Sequence, residues 1–281
     1  MSQPKGIPNA SGCGCWFASI TQLLISQEDV VKKMESFRPS SQVTQLLKDY
    51  FSGIAKGIDV NNKELLYSLV RENEKLFKIG DTGGETMRGF DSFIYHFATE
   101  LGIERRDISD LDSSCSNIYT DYSLFISPLS KFLFKLYDKN GKIQQIANCL
   151  IISSTNKSLE EQIAEISNIQ LFPEYLLLSM GSLYETFNDE MLLFNPKDLQ
   201  YTKNTGVNTV RFLKYVLAGF IVYRGSNSDH AIAYINVKHS RYQKLDKEWL
   251  EFDDNNVTPV EKPIFHKDKW AKVAFYKKVK V

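Results

Sequence analysis

Residues 229–260 read DHAIAYINVKHSRYQKLDKEWLEFDDNNVTPV. The run AIAYINV is short, apolar and β-branched, the centre is polar, and WLEF returns to an apolar texture. That pattern predicts a strand, a polar turn region and a returning antiparallel strand. His230 then stands where the small polar loop RGSNSD meets the first strand, and Asp253 and Asp254 lie among Trp249, Phe252 and Val257 on the second. A hairpin of this kind can set a carboxylate opposite His230. Such a partner fixes the imidazole tautomer and stabilises the imidazolium. Taken singly, a histidine at a strand edge is usually a packing residue, and an acidic pair in a turn is usually solvated surface.

Working outward, the upstream runs KFLFKLYD, IQQIANCLIIS, EYLLLSM, VRFLKYVLAGFIVYR and the downstream KVAFYKKV have the same β-rich texture. YSLFIS precedes them, and the Asn-Gly of DKNGK marks a tight hairpin turn. SLEEQIAEI interrupts the series as a short helix. Before residue 119 the periodicity is helical instead. CWFASITQLLI places Trp16, Ile20, Leu23 and Leu24 near a 3.6-residue period, and SSQVTQLLKDYFSGIA, NKELLYSLVRENEKLF and GFDSFIYHFATELGI continue it. Helices first and strands later predict an α+β fold, a helical layer packed on an antiparallel sheet. With no repeat, linker or low-complexity tract, residues 1–281 are expected to form a single domain, helical over about 1–118 and β-rich over about 119–281.

The 34 basic and 34 acidic residues cancel and are scattered. Neither nucleic acid nor an anionic membrane is an expected partner. No apolar run reaches the ~20 residues of a membrane helix, and residues 1–12 lack the pattern of an export signal. Four cysteines in a chain of 281 residues make a poor disulfide framework, so a reducing, cytoplasmic compartment is expected.

The stretch GCGCWFAS, residues 12–19, ends a glycine-containing loop and opens an apolar helix. Cys15 at the helix mouth would meet converging N–H groups and the positive end of the dipole, which favour thiolate. Cys13 lies two residues earlier, in the loop. A metal site needs further ligands at short spacing, and no CxxC occurs. Both cysteines being small buried residues is the ordinary alternative. A nucleophile needs a base, and of the four histidines His96 lies in an aromatic helical segment while His239 and His266 sit beside lysines. His230 is the remaining candidate.

These residues resemble the ubiquitin-specific proteases. GIPNASGCGCWFAS is similar to that family's cysteine box, GLxN followed by a short turn and Cys-aromatic, and DHAIAYINV with WLEFDDNNVTPV is similar to its histidine box. NKSLEEQI, LFPEYLLLSM, LLFNPKDL and VRFLKYVLAGFIVYRG resemble the intervening phrases, in order. The resemblance implies a papain-like cysteine protease fold with a helical thumb, an antiparallel β palm and short fingers. It also implies Cys15 as nucleophile, His230 as general base and Asp253 as the residue orienting it. Asn9 matches the asparagine that helps stabilise the oxyanion, and Asp254 the auxiliary second acid.

There are departures. The turn before Cys15 carries one extra residue, so backbone N–H groups around Gly14 and Cys15 are an alternative to Asn9. The family's GHY is DHA, which puts Ala231 beside the imidazole, and its QDAxEF box maps only onto RGFDSF. Substrate-tail contacts are therefore expected from Asp91 or Glu85, and from Tyr234. The zinc-binding CxxC pairs of many members are absent, which implies metal-free fingers around residues 119–152.

The function implied is a cofactor-free deubiquitinating thiol protease, a monomer whose partners are ubiquitin or a ubiquitin-like modifier and its conjugates. The Asn, Lys, Tyr and Ile bias is compatible with a viral or bacterial protein acting in a host cytoplasm. Two alternatives stand beside it. One is a non-catalytic ubiquitin-binding module on the same scaffold. The other is a papain-type peptidase, opposed by the separation of Cys15 from His230, well beyond the ~130–150 residues of that family.

Overall fold

The computed structural model describes residues 3–9, 14–39, 41–60, 64–65, 105–106, 115–119, 134–137, 143–152, 157–165, 169–171, 173–180, 191–194, 213–224, 230–261 and 269–280. Among the described residues, helices α1 (Cys15–Ile25), α2 (Glu28–Ser36) and α3 (Gln42–Ala55) come first, and α4 (Leu159–Glu165) lies among the strands. Every residue of α1 is buried. Its apolar residues are joined by buried Ser19, Thr21 and Gln22, so the helix is enclosed on every side, and α1 runs between α2, α3 and the sheet. α2 buries only Val30, Val31 and Met34, with Glu28 and Asp29 at its positive end and Lys33 at its negative end. Ser41 caps α3 by accepting the Thr44 N–H (3.2 Å). α4 opens with a capping box: Glu161 N–H donates to Ser158 Oγ (3.1 Å) and Ser158 N–H to Glu161 Oε2 (2.8 Å).

The strands are β1 (Arg105–Arg106), β2 (Cys115–Tyr119), β3 (Phe134–Tyr137), β4 (Ile143–Ile152), β5 (Ile169–Leu171) and β6 (Tyr175–Met180). β7 (Met191–Phe194), β8 (Leu213–Arg224), β9 (His230–Asn236), β10 (Trp249–Asp253), β11 (Asn256–Val260) and β12 (Lys269–Val279) complete the set. Among the described residues, strands occur from Arg105 onward, ahead of the change of texture at residue 119. The main path runs β1-β2-β4-β6-β12-β8-β9-β10-β11, with β3, β5 and β7 paired beside it. All pairings are antiparallel except β4 with β6. The fold class is α+β, as expected. β3 and β4 form the hairpin that Asn-Gly predicted, with Tyr137 opposite Ile143. YSLFIS, most of NKELLYSLVRENEKLF and all of GFDSFIYHFATELGI lie outside the described residues.

The centre of the sheet is buried on both faces. Ala231, Ala233 and Ile235 of β9 join one core with Trp16, Phe17, Leu23 and Leu24 of α1. Tyr234, pointing the other way by strand alternation, stacks on Phe220 with ring centroids 4.9 Å apart, and Phe220 meets Trp249 at 5.4 Å. Close contact between α1 and the sheet depends on a glycine. A Cβ on Gly219 would sit 2.6 Å from Leu23 Cδ2 and 2.7 Å from the Tyr234 carbonyl oxygen. Among the described residues, no helix is long and apolar enough to cross a membrane.

Candidate active site

The hairpin of β9 and β10 builds one half of the site. Register pairs Phe252 with Ala233 and Glu251 with Tyr234, and on the other side of β9 it pairs Arg224 with His230. Side chains directly opposite across antiparallel strands share a face. Arg224, His230, Tyr234, Glu251 and Asp253 therefore fall on the same face of the sheet. Asp253 Oδ1 is 2.6 Å from His230 Nε2. An ionised carboxylate can only accept, so Nε2 carries the shared proton and Nδ1 is left as the ring's acceptor.

The other half is the mouth of α1. Gly14 is its N-cap, and the Gly14 carbonyl accepts from Phe17 and Ala18. The Cys15 thiol interacts with the Ala231 N–H, and Ser19, one turn along, donates Oγ to the Ala231 carbonyl (3.0 Å). One residue of β9 is thus held by two residues of α1. The Ala231 N–H belongs to the peptide unit joining Ala231 to His230. Ala231 is itself buried in the core that α1 covers, so the small residue that departs from GHY stands under the helix.

Burial pushes the Cys15 thiol above its ordinary range. The N–H of Ala231 pulls it down, the Asp254 carboxylate pushes it up, and the N–H groups of Trp16 and Cys15 pull it down again. The expected helix-mouth donors are present, yet the net direction is the reverse of the thiolate expected from sequence. Desolvation disfavours the charged form more than three N–H dipoles favour it. Cys15 is thereby held toward the thiol form.

The segment 3–9 straps the hairpin turn to the helix mouth. Ile7 N–H donates to the Asp254 carbonyl (2.8 Å), and Gln22 Nε2 donates to the Lys5 carbonyl (2.9 Å). At Gly6 a Cβ would lie 2.4 Å from backbone atoms of Asp254 and Asn255, so only glycine allows that crossing. Asn9 then links both halves. Its Oδ1 accepts the Gly14 N–H (2.9 Å) and its Nδ2 donates to Asp254 Oδ2 (3.3 Å).

Asp254 has φ +51°, the positive-φ region that a non-glycine residue seldom enters. Its Oδ1 is buried with no hydrogen-bond partner. Burial raises its pKa, Asn9 and then His230 lower it, and Asp253 raises it. An acid whose folded-state value is raised destabilises the fold wherever it is ionised, and this loss disappears once both states are protonated. Asp254→Asn, which keeps an acceptor for Asn9 and tolerates positive φ, is therefore expected to raise stability at neutral pH. The gain should shrink as pH falls from the raised value through the ordinary aspartate range near ~3.9. Denaturant midpoints of both proteins across that range check it; a gain independent of pH would assign the effect to backbone strain instead.

Two residues outside the sequence-level candidates complete the site. Arg224 donates from Nη1 to Asp253 Oδ2 (3.3 Å), and its Nη2 lies 3.8 Å from Glu251 Oε2. Glu251 also accepts the Tyr234 hydroxyl. Both were visible in the sequence, Arg224 at the end of VRFLKYVLAGFIVYR and Glu251 inside WLEFDD. Only the register sets them beside Asp253. Tyr234, the expected tail contact, is buried, with its hydroxyl held by Glu251. Asp91, Glu85, Cys13, His96 and His266 lie outside the described residues. His230, Asp253 and Asp254 bring ligand atoms within 4.8 Å of one another, a spacing that a cation could use. The guanidinium on Asp253 opposes one there.

A sequence model described as ubiquitin carboxyl-terminal hydrolase matches residues 6–276. Among solved structures, the chain is similar to the Ubp8/Sgf11/Sus1/Sgf73 DUB module of SAGA bound to ubiquitin aldehyde, at 15% identity and a TM-score of 0.60, covering 99% of this chain and 70% of that one. It is also similar to the Saccharomyces cerevisiae PAN2 pseudoubiquitin-hydrolase, at 12% identity and a TM-score of 0.63, covering 99% of this chain and 88% of that one. No curated protein sequence matches. At these identities the structural likeness speaks for the fold.

Proposed function

Because the chain belongs to the ubiquitin carboxyl-terminal hydrolase family, we propose that it is a deubiquitinating cysteine protease. It would hydrolyse the isopeptide or peptide bond after the C-terminal glycine of ubiquitin or a ubiquitin-like modifier. The observation that carries this reading is the 2.6 Å contact of His230 Nε2 with Asp253, on a strand whose next residue holds the Cys15 thiol.

In the proposed reaction His230 Nδ1 takes the thiol proton, and Sγ attacks the glycine carbonyl carbon. The oxyanion is met by first-turn N–H groups of α1, as helix mouths meet anions. Asn9 holds Gly14, and so the turn that presents them. The tetrahedral adduct collapses as His230 returns the proton to the departing amine, leaving a thioester. Water, deprotonated by His230, then attacks the thioester carbonyl, and the thiolate leaves and is reprotonated. Nothing in these steps calls for a cofactor.

A second reading, a ubiquitin-binding module without catalysis, is favoured by two observations. One is the likeness to a protein named a pseudoubiquitin-hydrolase. The other is the upward push on the thiol.

Electrophilic probes built on ubiquitin and on ubiquitin-like modifiers separate the two. The expected result is a covalent adduct with at least one probe, mapped by mass spectrometry to Cys15 and absent in Cys15→Ala. Ubiquitin binding without any adduct would establish the binding module. An adduct on Cys13 would displace the nucleophile while leaving the reaction class.

A further inference from the structure

The carboxylate that orients His230 is itself held. Asp253 offers Oδ1 to the imidazole and Oδ2 to Arg224, so its plane is set by two partners on two different strands, β9 and β8. Glu251 lies two residues before Asp253 on the same face of β10, and Asp254 follows directly. Three carboxylates thus crowd one end of the site. With His230 neutral, the charge facing Glu251 and Asp253 among the described residues is the Arg224 guanidinium, one nitrogen toward each.

Asp253 stands about a quarter exposed (27% side-chain exposure) at the end of a strand even with that charge beside it. Without that charge, Asp253 would be repelled from both sides along its own chain and tied only to a neutral ring. Its χ1 and χ2 would then be free to carry it toward water.

We propose that Arg224 is a positioning residue that acts through Asp253. Its planar fork bridges Asp253 and Glu251, and this holds the Asp253 carboxylate where it fixes the proton on His230 Nε2 and leaves Nδ1 free to accept one. Glu251 is the fork's second anchor, and the Tyr234 hydroxyl holds Glu251 in turn. Arginine suits this role because its nitrogens are coplanar and remain charged, whereas lysine offers a single mobile point charge. The inference rests on reading Cys15, His230 and Asp253 as the catalytic set, and the test below keeps the two separable.

The test is a double-mutant cycle on Arg224→Ala and Asp253→Ala, with Arg224→Lys as the conservative variant. Two readouts are followed. One is the rate at which iodoacetamide alkylates Cys15 at neutral pH, followed by mass spectrometry, which needs no modifier. The other is kcat and KM on a fluorogenic ubiquitin C-terminal amide.

Arg224→Ala is expected to lower both the alkylation rate and kcat about tenfold, with KM within about twofold, and to cost nothing further in the Asp253→Ala background. Arg224→Lys should recover only part of the loss. Losses that add in the double variant, or a change confined to KM, would overturn the proposal and assign Arg224 to the substrate or to the fold. If Asp253→Ala itself leaves alkylation and turnover unchanged, the catalytic set is wrong. If Asp253→Ala slows both and Arg224→Ala slows neither, only the positioning role fails. Melting temperatures of all variants show whether any loss comes from unfolding.

Discussion

Replacing His230 with alanine is expected to lower kcat on a ubiquitin C-terminal substrate by about 10²–10⁴-fold, with KM little changed. The size of the effect follows from the state of the thiol. Burial and the Asp254 carboxylate push Cys15 upward against the N–H groups that surround it. The site therefore keeps a protonated sulfur until a base takes the proton. In the proposed reaction His230 also returns that proton to the leaving amine and deprotonates the attacking water, so one deletion removes the proton carrier for both halves of the cycle. Stability should barely move, because the ring is about a third exposed and its hydrogen bond among the described residues is to Asp253. Steady-state kinetics with a parallel melting curve decide the matter. A loss below tenfold in a folded variant would mean that another group serves as base.

The largest structural effect is expected at Phe17. Its side chain is fully buried, edge-on to Trp16 with centroids 5.5 Å apart and stacked on Tyr50 of α3 at 5.5 Å. Phe17→Ala removes the ring where α1 meets α3 and leaves a cavity that a helix buried on every side cannot close by settling outward. The expected cost is about 3–5 kcal/mol, a fall in Tm of roughly 6–20 °C at a few degrees per kcal/mol. Calorimetry or a denaturant midpoint measures it. A cost below about 1 kcal/mol would show that α1 can repack. The same variant should alkylate faster at Cys15, since looser packing at the helix mouth relieves the burial that raises the thiol.

What was legible in the sequence is what short-range pattern encodes. WLEFDD after AIAYINV specified a hairpin, and the hairpin brought Asp253 to His230. The near-3.6-residue spacing of Trp16, Ile20, Leu23 and Leu24 specified a helix, and SLEEQIAEI specified the short helix α4. What escaped depends on contacts between distant segments. Arg224 matters because β8 and β9 pair it with His230, and no local pattern states that register. The strap at Gly6 rests on the Asp254–Asn255 turn, nearly the whole chain away. The direction of the thiol shift was misread for a related reason. The donors of a helix mouth are a local property, whereas desolvation of Cys15 is imposed by everything packed around it.

The order of the sheet bears on when this protein could first become active. β12, the last strand in the chain, lies between β6 and β8, in the middle of the main path rather than at an edge. A ribosome making this chain exposes Cys15 well before His230 and Asp253. The slot in the sheet still stands open until residues up to Val279 have emerged. Until then β8, which carries Arg224 and one flank of β9, lacks its longest partner. Translation thus delivers Cys15, His230 and Asp253 before the sheet around them is closed, and a chain stalled before β12 should carry all of the proposed catalytic residues and no activity.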